Sequence, residues 1–243
     1  MSALEDAARS IEAELPTPHS NRVVALQCNV REEDDVKRLF KATREMFGRP
    51  LTCLVNNAGG QFPSPAASIS SKGWRSVIDL NLNGTFMMCR EAYETSFKDS
   101  GGGAIVNIVA EVRSGFPGMA HTGAARAGVI NLAQTLAVEW AHAGVRVNCV
   151  APGIIFHESA DAHYEKITGT KGFLVQHLKN IPARRLGTVE EVAAAVVFLL
   201  SPAAQYISGV NLEVNGAQHL TPSTGATTFV EHGGWPMFRG GAL

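Results

Sequence analysis

The chain has 243 residues, of which 45% are hydrophobic, and its formal net charge is −1. This length suits one domain with a substantial core, predicted over 1–243, and the balanced charge argues against nucleic-acid or anionic-membrane partners. The four cysteines stand far apart, which favours buried free thiols over disulfides or a zinc site, so no metal is predicted. The longest apolar run, 193–200, is too short to span a bilayer.

The first third of the chain is predicted to form a helix, a strand and a second helix. Apolar residues recur at helical spacing from Leu4 to Leu15, and the prolines that follow end the element. The segment 23–30, VVALQCNV, predicts a strand. Acidic residues at 32–35 suit the N-terminus of the second helix, and Gly48 suits its end.

A short apolar run followed by a turn stands at 51–62, LTCLVNNAGGQF. Such a run is typical of a strand that is buried in a parallel sheet and delivers its carboxyl end to a ligand crevice. Asn56 and Asn57 carry amide donors and acceptors, whereas Gly59 and Gly60 lack a Cβ and let a ligand approach the main chain. We predict a binding crevice here, with an ordinary strand-ending turn as the alternative.

Helices and strands alternate through the rest of the chain. The predicted elements are a helix from 70 or 71 towards 97, a strand at 104–109, a helix at 124–142, a strand at 145–150, a capping-box helix at 188–200 and a strand at 210–214. An irregular insert at about 154–186 and a tail at 217–243 complete the chain. This alternation predicts an α/β fold with a doubly wound, Rossmann-type parallel sheet.

Five motifs then follow one another in a familiar order. They are NNAG at 56–59, Asn81 in NLNGTF, GAIVNIV at 103–109, RVNCVAPG at 146–153 and the run IPARRLGTVEEVAAAVVFLLSPAAQYISG at 181–209. In this combination the chain resembles the short-chain dehydrogenase/reductase family. The pieces GGQFPSP, ISSKGW, SGFPGMAHTGAARAGV and EHGGWP are most similar to the family's peroxisomal trans-2-enoyl-CoA reductases.

The resemblance implies a reductase of fatty acid metabolism that passes a hydride from NADPH to the β-carbon of a 2-enoyl-CoA thioester. It also implies a homo-oligomer, joined through the helices that begin near 71 and 124, and a location in the peroxisome. The C-terminal Gly241-Ala242-Leu243 lacks the basic residue of the import signal, so we expect poor import, with a cytoplasmic location as the alternative. Apolar side chains such as Trp74, Phe86 and Trp140 fit either subunit pairing or core packing.

The same resemblance implies a set of cofactor-binding residues at the ends of strands. They are Asn29 and Val30 beside the adenine, Asn56, Ala58 and Gly59 on the sugar side, and Pro152 and Gly153 beside the nicotinamide. Asn81 is the one catalytic residue of the family that the sequence retains.

The family's Tyr-x-x-x-Lys pair and its serine have no counterpart in the sequence. One alignment places Thr122 and Arg126 at the pair, and a second places Ile130 and Gln134 there. Val-Ala-Glu at 109–111 occupies the segment of the serine.

Two other side chains are candidates for the missing chemistry. Arg126 offers a permanent positive charge for a developing enolate, although a guanidinium is a poor acid. His121 is the nearby side chain that titrates near pH 7, so it is the candidate proton donor, with a loop histidine of no catalytic role as the alternative.

A dinucleotide site needs a Gly-rich turn between a strand and a helix, because main-chain N–H groups and the helix dipole hold the pyrophosphate. The sequence has neither GxGxxG nor TGxxxGxG, and its similarity to the family begins near Ala3, after the family's second strand. We therefore expect a sheet that is incomplete at the N-terminus and weak NADPH binding. Two further interpretations stay open, a catalytically inactive reductase-like protein that binds other subunits, and a truncated gene product.

Overall fold

A four-stranded parallel sheet organises the chain in the computed structural model, which describes residues 2–15, 23–157, 162, 165–167, 169–172, 174–220 and 237. The strands are β1 (Cys53–Asn56), β2 (Gly103–Ile108), β3 (Val145–Pro152) and β4 (Asn211–Val214). They lie side by side in the order β1-β2-β3-β4, and every neighbouring pair is parallel. The prediction of a Rossmann-type α/β sheet is confirmed.

Helices connect the strands and cover both faces of the sheet. They are α1 (Ser2–Ala13), α2 (Glu33–Phe47), α3 (Ser71–Ile78), α4 (Gly84–Ala92), α5 (Ala120–Glu139) and α6 (Val189–Leu200). The π-helical segments Asp79–Asn83 and Tyr93–Phe97 join α3 to α4 and extend α4, so helical backbone runs from 71 to 97 as predicted. None of these described helices combines the length and apolarity needed to span a bilayer.

The helix ends follow the local sequence signals. Ser70 caps α3, because its hydroxyl accepts a hydrogen bond from the amide of Gly73. Thr188 and Glu191 form the predicted capping box at the start of α6. Gly48 adopts the left-handed conformation, with φ of +62°, and ends α2.

Two apolar cores lie on opposite faces of the sheet, since side chains alternate along each strand. On the first face, Ile105 of β2 packs with α2, α4 and α5. On the second face, its neighbour Val106 packs with Val150 and with Leu199 of α6. Both strand residues are fully buried, which fixes the register of the sheet.

The predicted strand at 23–30 is wrong. These residues are described and contain no strand, and β1 has β2 as its one neighbour in the described part of the chain. A strand is stabilised by backbone hydrogen bonds to a neighbouring strand, so an apolar run without one has no ladder to join. Val30 instead packs against Gly84, whose Cβ, if present, would lie 2.9 Å from the Val30 side chain.

The second face of the sheet is covered unevenly. The core beneath α6 spans β2, β3 and β4, but Val55 of β1 remains 41% exposed, and Cys53 is also exposed. Helix α1 leaves the apolar side chains of Leu4 and Ile11 exposed as well. Among the described residues, β1 is therefore packed on one face only.

The large aromatic residues divide between core and surface. Trp140 is buried and stacks on Tyr93, with ring centroids 4.4 Å apart, whereas Trp74 and Phe86 are each 40% exposed. Core packing thus accounts for Trp140.

The turn before β2 supplies a test of the fold. Gly101 and Gly102 both have positive φ, but a Cβ at Gly102 would lie 2.2 Å from the carbonyl oxygen of Gly144, whereas one at Gly101 would meet nothing within 4 Å. We expect Gly102→Ala to lower the free energy of unfolding by about 3 kcal/mol or more, and Gly101→Ala by about 1 kcal/mol. Urea unfolding followed by circular dichroism measures both losses, and equal losses would contradict this close approach.

Candidate active site

The turn after β1 is fixed by a buried hydrogen-bond network. Asn56 donates from Nδ2 to Oδ1 of Asn107, 2.8 Å away, and the two residues face each other in neighbouring strands. The same Nδ2 lies 3.2 Å from Sγ of Cys89 in α4. Burial raises the pKa of the Cys89 thiol to about 12, so the thiol stays neutral and acts as a packing group. The Asn56 amide therefore holds the sheet edge from inside, while Ala58 and Gly59 are exposed.

Asn81 binds this turn directly. Its Oδ1 accepts from the amide of Gly60, and its Nδ2 donates to the carbonyl of the same residue, both at 2.9 Å. Nδ2 also donates to Oγ1 of Thr122, at 3.1 Å. Asn81 lies in the π-helical segment between α3 and α4, a local widening that often accompanies functional sites. The buried amide therefore joins the β1 turn, the long helix and α5.

Arg126 places a cation at the carboxyl ends of β1 and β2. It lies one helical turn after Thr122 on α5, and its Nη1 donates to the carbonyl of Ile108 at 2.8 Å. A Cβ at Gly59 would lie 2.9 Å from Nη2 of Arg126 and 3.2 Å from Oδ1 of Asn81. A side chain at Gly59 would therefore displace the guanidinium, which lies against the main chain there.

His121 lies beneath this site with no exposed surface. Its Nδ1 accepts from the amide of Thr122 at 2.7 Å, and the ring also forms a hydrogen bond with the backbone of Met119. Nε2 has no hydrogen-bond partner among the described residues, and Phe62 packs edge-to-face on the ring at 4.3 Å. Burial lowers the pKa of His121, so the imidazole is neutral at pH 7 and the proton it offers is a weakly acidic one. Its role as proton donor stays a prediction.

The two residues of the second alignment, Ile130 and Gln134, do not lie in this site. Ile130 packs against the first core beneath α5, and Gln134 is exposed. Thr122 and Arg126, by contrast, share the site with Asn81. The structure therefore brings together the first alignment and not the second.

The remaining predicted cofactor residues lie before α2 and at the end of β3. Asn29 precedes α2, where its amide donates to Oδ2 of Asp35 and its Oδ1 accepts from Arg31, so it does not end a strand. Pro152 ends β3, and a Cβ at Gly153 would lie 2.8 Å from Cβ of Asn215. Parts of the insert at 154–186 and of the tail at 217–243 lie outside the described residues.

Sequence reasoning missed one cluster at the carboxyl edge of the sheet. Glu111 follows β2 and Glu213 lies in β4, and Asn215 donates from Nδ2 to both carboxylates at 3.2 Å. His219 joins them through Nδ1, 2.9 Å from Oδ1 of Asn215. Burial and a hydrogen bond with Glu111 raise the pKa of Glu213 to about 7. The sequence signal was only that Glu111 replaces a residue of the family's serine segment.

Comparison with known proteins agrees with this architecture. The family model described as Enoyl-(Acyl carrier protein) reductase matches residues 1–219. A relative from Bacillus subtilis, named probable 2,4-dienoyl-CoA reductase, is 36% identical over 222 residues, which cover 90% of this chain and 84% of that protein. The peroxisomal 2,4-dienoyl-CoA reductase of Danio rerio is 36% identical over 85% of this chain and 68% of its own length.

A solved structure supports the same assignment. It is a putative short-chain alcohol dehydrogenase from Sinorhizobium meliloti, 30% identical, with a TM-score of 0.80 over 91% of this chain and 84% of its own. Both the overall fold and most of the chain length are therefore shared with these proteins. The chain belongs to the short-chain dehydrogenase/reductase family.

Proposed function

We propose that the chain is a reductase of 2-enoyl-CoA thioesters in fatty acid metabolism, acting on trans-2-enoyl-CoA with NADPH as reductant. The observation that carries the proposal is Arg126, a cation fixed against Gly59 at the sheet edge where other family members use a phenol and a lysine. Two relatives named 2,4-dienoyl-CoA reductase support a CoA-thioester substrate.

A fixed guanidinium suits this reaction because of where charge develops. Reduction of an enoyl thioester at its β-carbon moves negative charge to the thioester oxygen, and a preorganised cation stabilises that oxygen. Arg126 keeps its charge at every relevant pH, and its planar donors remain aligned by the carbonyl of Ile108. Arg126 would therefore serve as the oxyanion-binding residue of this chain.

Asn81 and Thr122 hold this arrangement in place. Asn81 fixes both polar atoms of Gly60, so the neighbouring Gly59 stays against the guanidinium. Thr122, fully buried, accepts from Asn81 one helical turn before Arg126. We assign both as positioning residues, because their polar atoms are engaged by the protein.

The described residues do not fit the dinucleotide as the family binds it. After β1 the chain runs through 57–70 before α3, and after β2 through 109–119 before α5, so neither β1 nor β2 leads through a short Gly-rich turn into a helix. Gly59 and Gly153, two glycines of the implied cofactor set, face Arg126 and Asn215. A dinucleotide bound as in the family would need pyrophosphate contacts that these residues do not supply.

A second candidate function is a reductase-like protein that binds thioesters or other subunits without turnover. Two observations favour it, the poor fit of the dinucleotide and the unpaired edge of β1 within the described sheet. Homo-oligomerisation is part of both candidates, supported by the exposed Trp74 and Phe86 on the helical run from 71 to 97. A peroxisomal location is proposed with the first, supported by relatives whose names include it.

Removal of the cation should weaken recognition of the acyl group. We expect Arg126→Met to reduce the preference for crotonyl-CoA over free CoA by about tenfold or more, since a charge-assisted hydrogen bond is lost, and Arg126→Lys to keep part of it. Isothermal titration with both ligands measures the preference, and Arg38→Met, an exposed arginine on α2, is the matched control. An unchanged preference in a folded Arg126→Met variant would rule out the proposed role.

Dinucleotide binding should gain little from the adenosine half of the cofactor. We expect no dissociation constant for NADPH below about 100 μM, and an affinity within about threefold of that for reduced nicotinamide mononucleotide, because the pyrophosphate finds no main-chain cradle. Fluorescence titration of the reduced nicotinamide measures both constants. Low-micromolar NADPH binding would show that other residues hold the pyrophosphate and would favour the active reductase.

A further inference from the structure

Three potential metal ligands meet on the side of the sheet edge away from Arg126. They are Glu111 in the loop after β2, Glu213 in β4, and His219 in the short helical turn Gln218–Leu220. One ligand atom from each lies within 4.8 Å of the other two. We name these three residues the carboxylate–histidine cluster, and we propose that it binds a divalent first-row transition-metal cation.

Asn215 orients the ligands in the manner of an outer-shell residue. It is 8% exposed, and its Nδ2 donates to Oε2 of Glu111 and Oε2 of Glu213, so its Oδ1 is the atom that faces His219. Because an amide oxygen only accepts, Nδ1 of His219 carries the proton and Nε2 retains its lone pair. Metal-binding histidines usually donate their other ring nitrogen in this way.

The charge around the cluster favours a cation. Two carboxylates stand side by side, and the nearest basic group is Arg113, whose Nη2 lies 3.4 Å from Glu213 with 60% of its side chain exposed. Arg113 also donates from its amide to Oε1 of Glu111, and Asn211 donates to Oε1 of Glu213. Oε1 of Glu213 accepts from both Arg113 and Asn211, so a cation would bind Glu213 through Oε2. It would replace the hydrogen bond between Glu213 and Glu111.

A cavity gives the cation and its water ligands access. It has a volume of 340 Å³ and is lined on one side by Glu213, Asn215 and His219. Arg185 and Glu191 line it as well, but they form a two-bond ion pair with each other. This pair is therefore satisfied without drawing on the cluster's carboxylates.

The ligand set selects the class of metal. Oxygen ligands with one imidazole suit Mn²⁺ or Zn²⁺ and not the soft metals that thiolates bind. Ligands about 2.1 Å from a tetrahedral ion lie about 3.4 Å apart, so side-chain rotations that shorten the separations by up to about 1.4 Å would complete the site. The cation would then join the loop after β2 to the end of β4, a role separate from the proposed reductase chemistry.

Manganese titration of the full chain, without a histidine tag, tests the proposal. The six-line paramagnetic resonance signal of free Mn²⁺ disappears when the ion binds. Thiols such as the exposed Cys53 compete poorly for Mn²⁺. We expect one equivalent to bind, and we expect Glu111→Gln, Glu213→Gln and His219→Gln each to weaken binding at least about tenfold. His142→Gln changes an exposed histidine remote in sequence from the cluster and should leave binding unchanged.

A thermal-unfolding series provides the second readout. Saturating Mn²⁺ or Zn²⁺ should raise the Tm of the wild-type chain by several degrees, roughly as any native-state ligand does, and should not raise that of the His219→Gln variant. His219 is half-buried in the short helical turn Gln218–Leu220. If a glutamate variant unfolds, the His219→Gln variant therefore provides the test. Failure of the wild-type chain to bind an equivalent of Mn²⁺, or unchanged binding in His219→Gln, would overturn the proposal.

Discussion

The need of a parallel sheet to cover both faces determines most of this structure. Each strand is joined to the next through a helix that must return across one face, so apolar residues are required on both sides of every central strand. Here β2 and β3 meet that requirement, because Ile105 and Val106 point into separate cores. The same connections place all carboxyl ends at one edge, and both sites proposed for this chain lie there.

Groups of opposite charge lie at different positions along the carboxyl edge of the sheet. Arg126 binds the main chain at Ile108, the last residue of β2, and lies towards β1. Three residues further along the chain, Glu111 turns towards β4 and meets Glu213. One strand end thus supports a cation on one side and paired carboxylates on the other. The cation suits an oxyanion, whereas the paired carboxylates suit a metal ion. The same edge of the sheet therefore has separate positions for two kinds of ligand.

Local sequence signals predicted the elements that depend on local energetics. Gly48 and the capping box at Thr188 set helix ends through hydrogen bonds within a few residues, and both are confirmed. The segment 23–30 failed for the converse reason, since a strand depends on a neighbour that its own residues do not encode.

The site shows the same division. Asn81 and Arg126 could be predicted as site residues from the family resemblance, and the structure joins them through Gly59 and Gly60. Glu213 and His219 could not be predicted in this way, because their contact with Glu111 depends on the spacing of two non-adjacent strands. A single glutamate in a strand gives no sign of a partner about a hundred residues away. Contacts of this kind require the topology before they are visible.

The order in which charge stabilisation and proton transfer are needed explains how this site could work without the family's tyrosine. An oxyanion donor and a general acid each contribute roughly 10²–10⁴ in rate, but the charge must be stabilised as it forms, whereas the carbanion-like carbon is protonated afterwards. Arg126 would meet the first need. Thr122 is an unactivated hydroxyl buried against Asn81, and His121 is neutral at pH 7, so neither is a strong acid. The exposed main chain of Ala58 and Gly59 leaves the crevice open to water. We therefore infer that solvent can complete the protonation once the cation has stabilised the enolate, and that Arg126 would contribute more than Thr122 or His121.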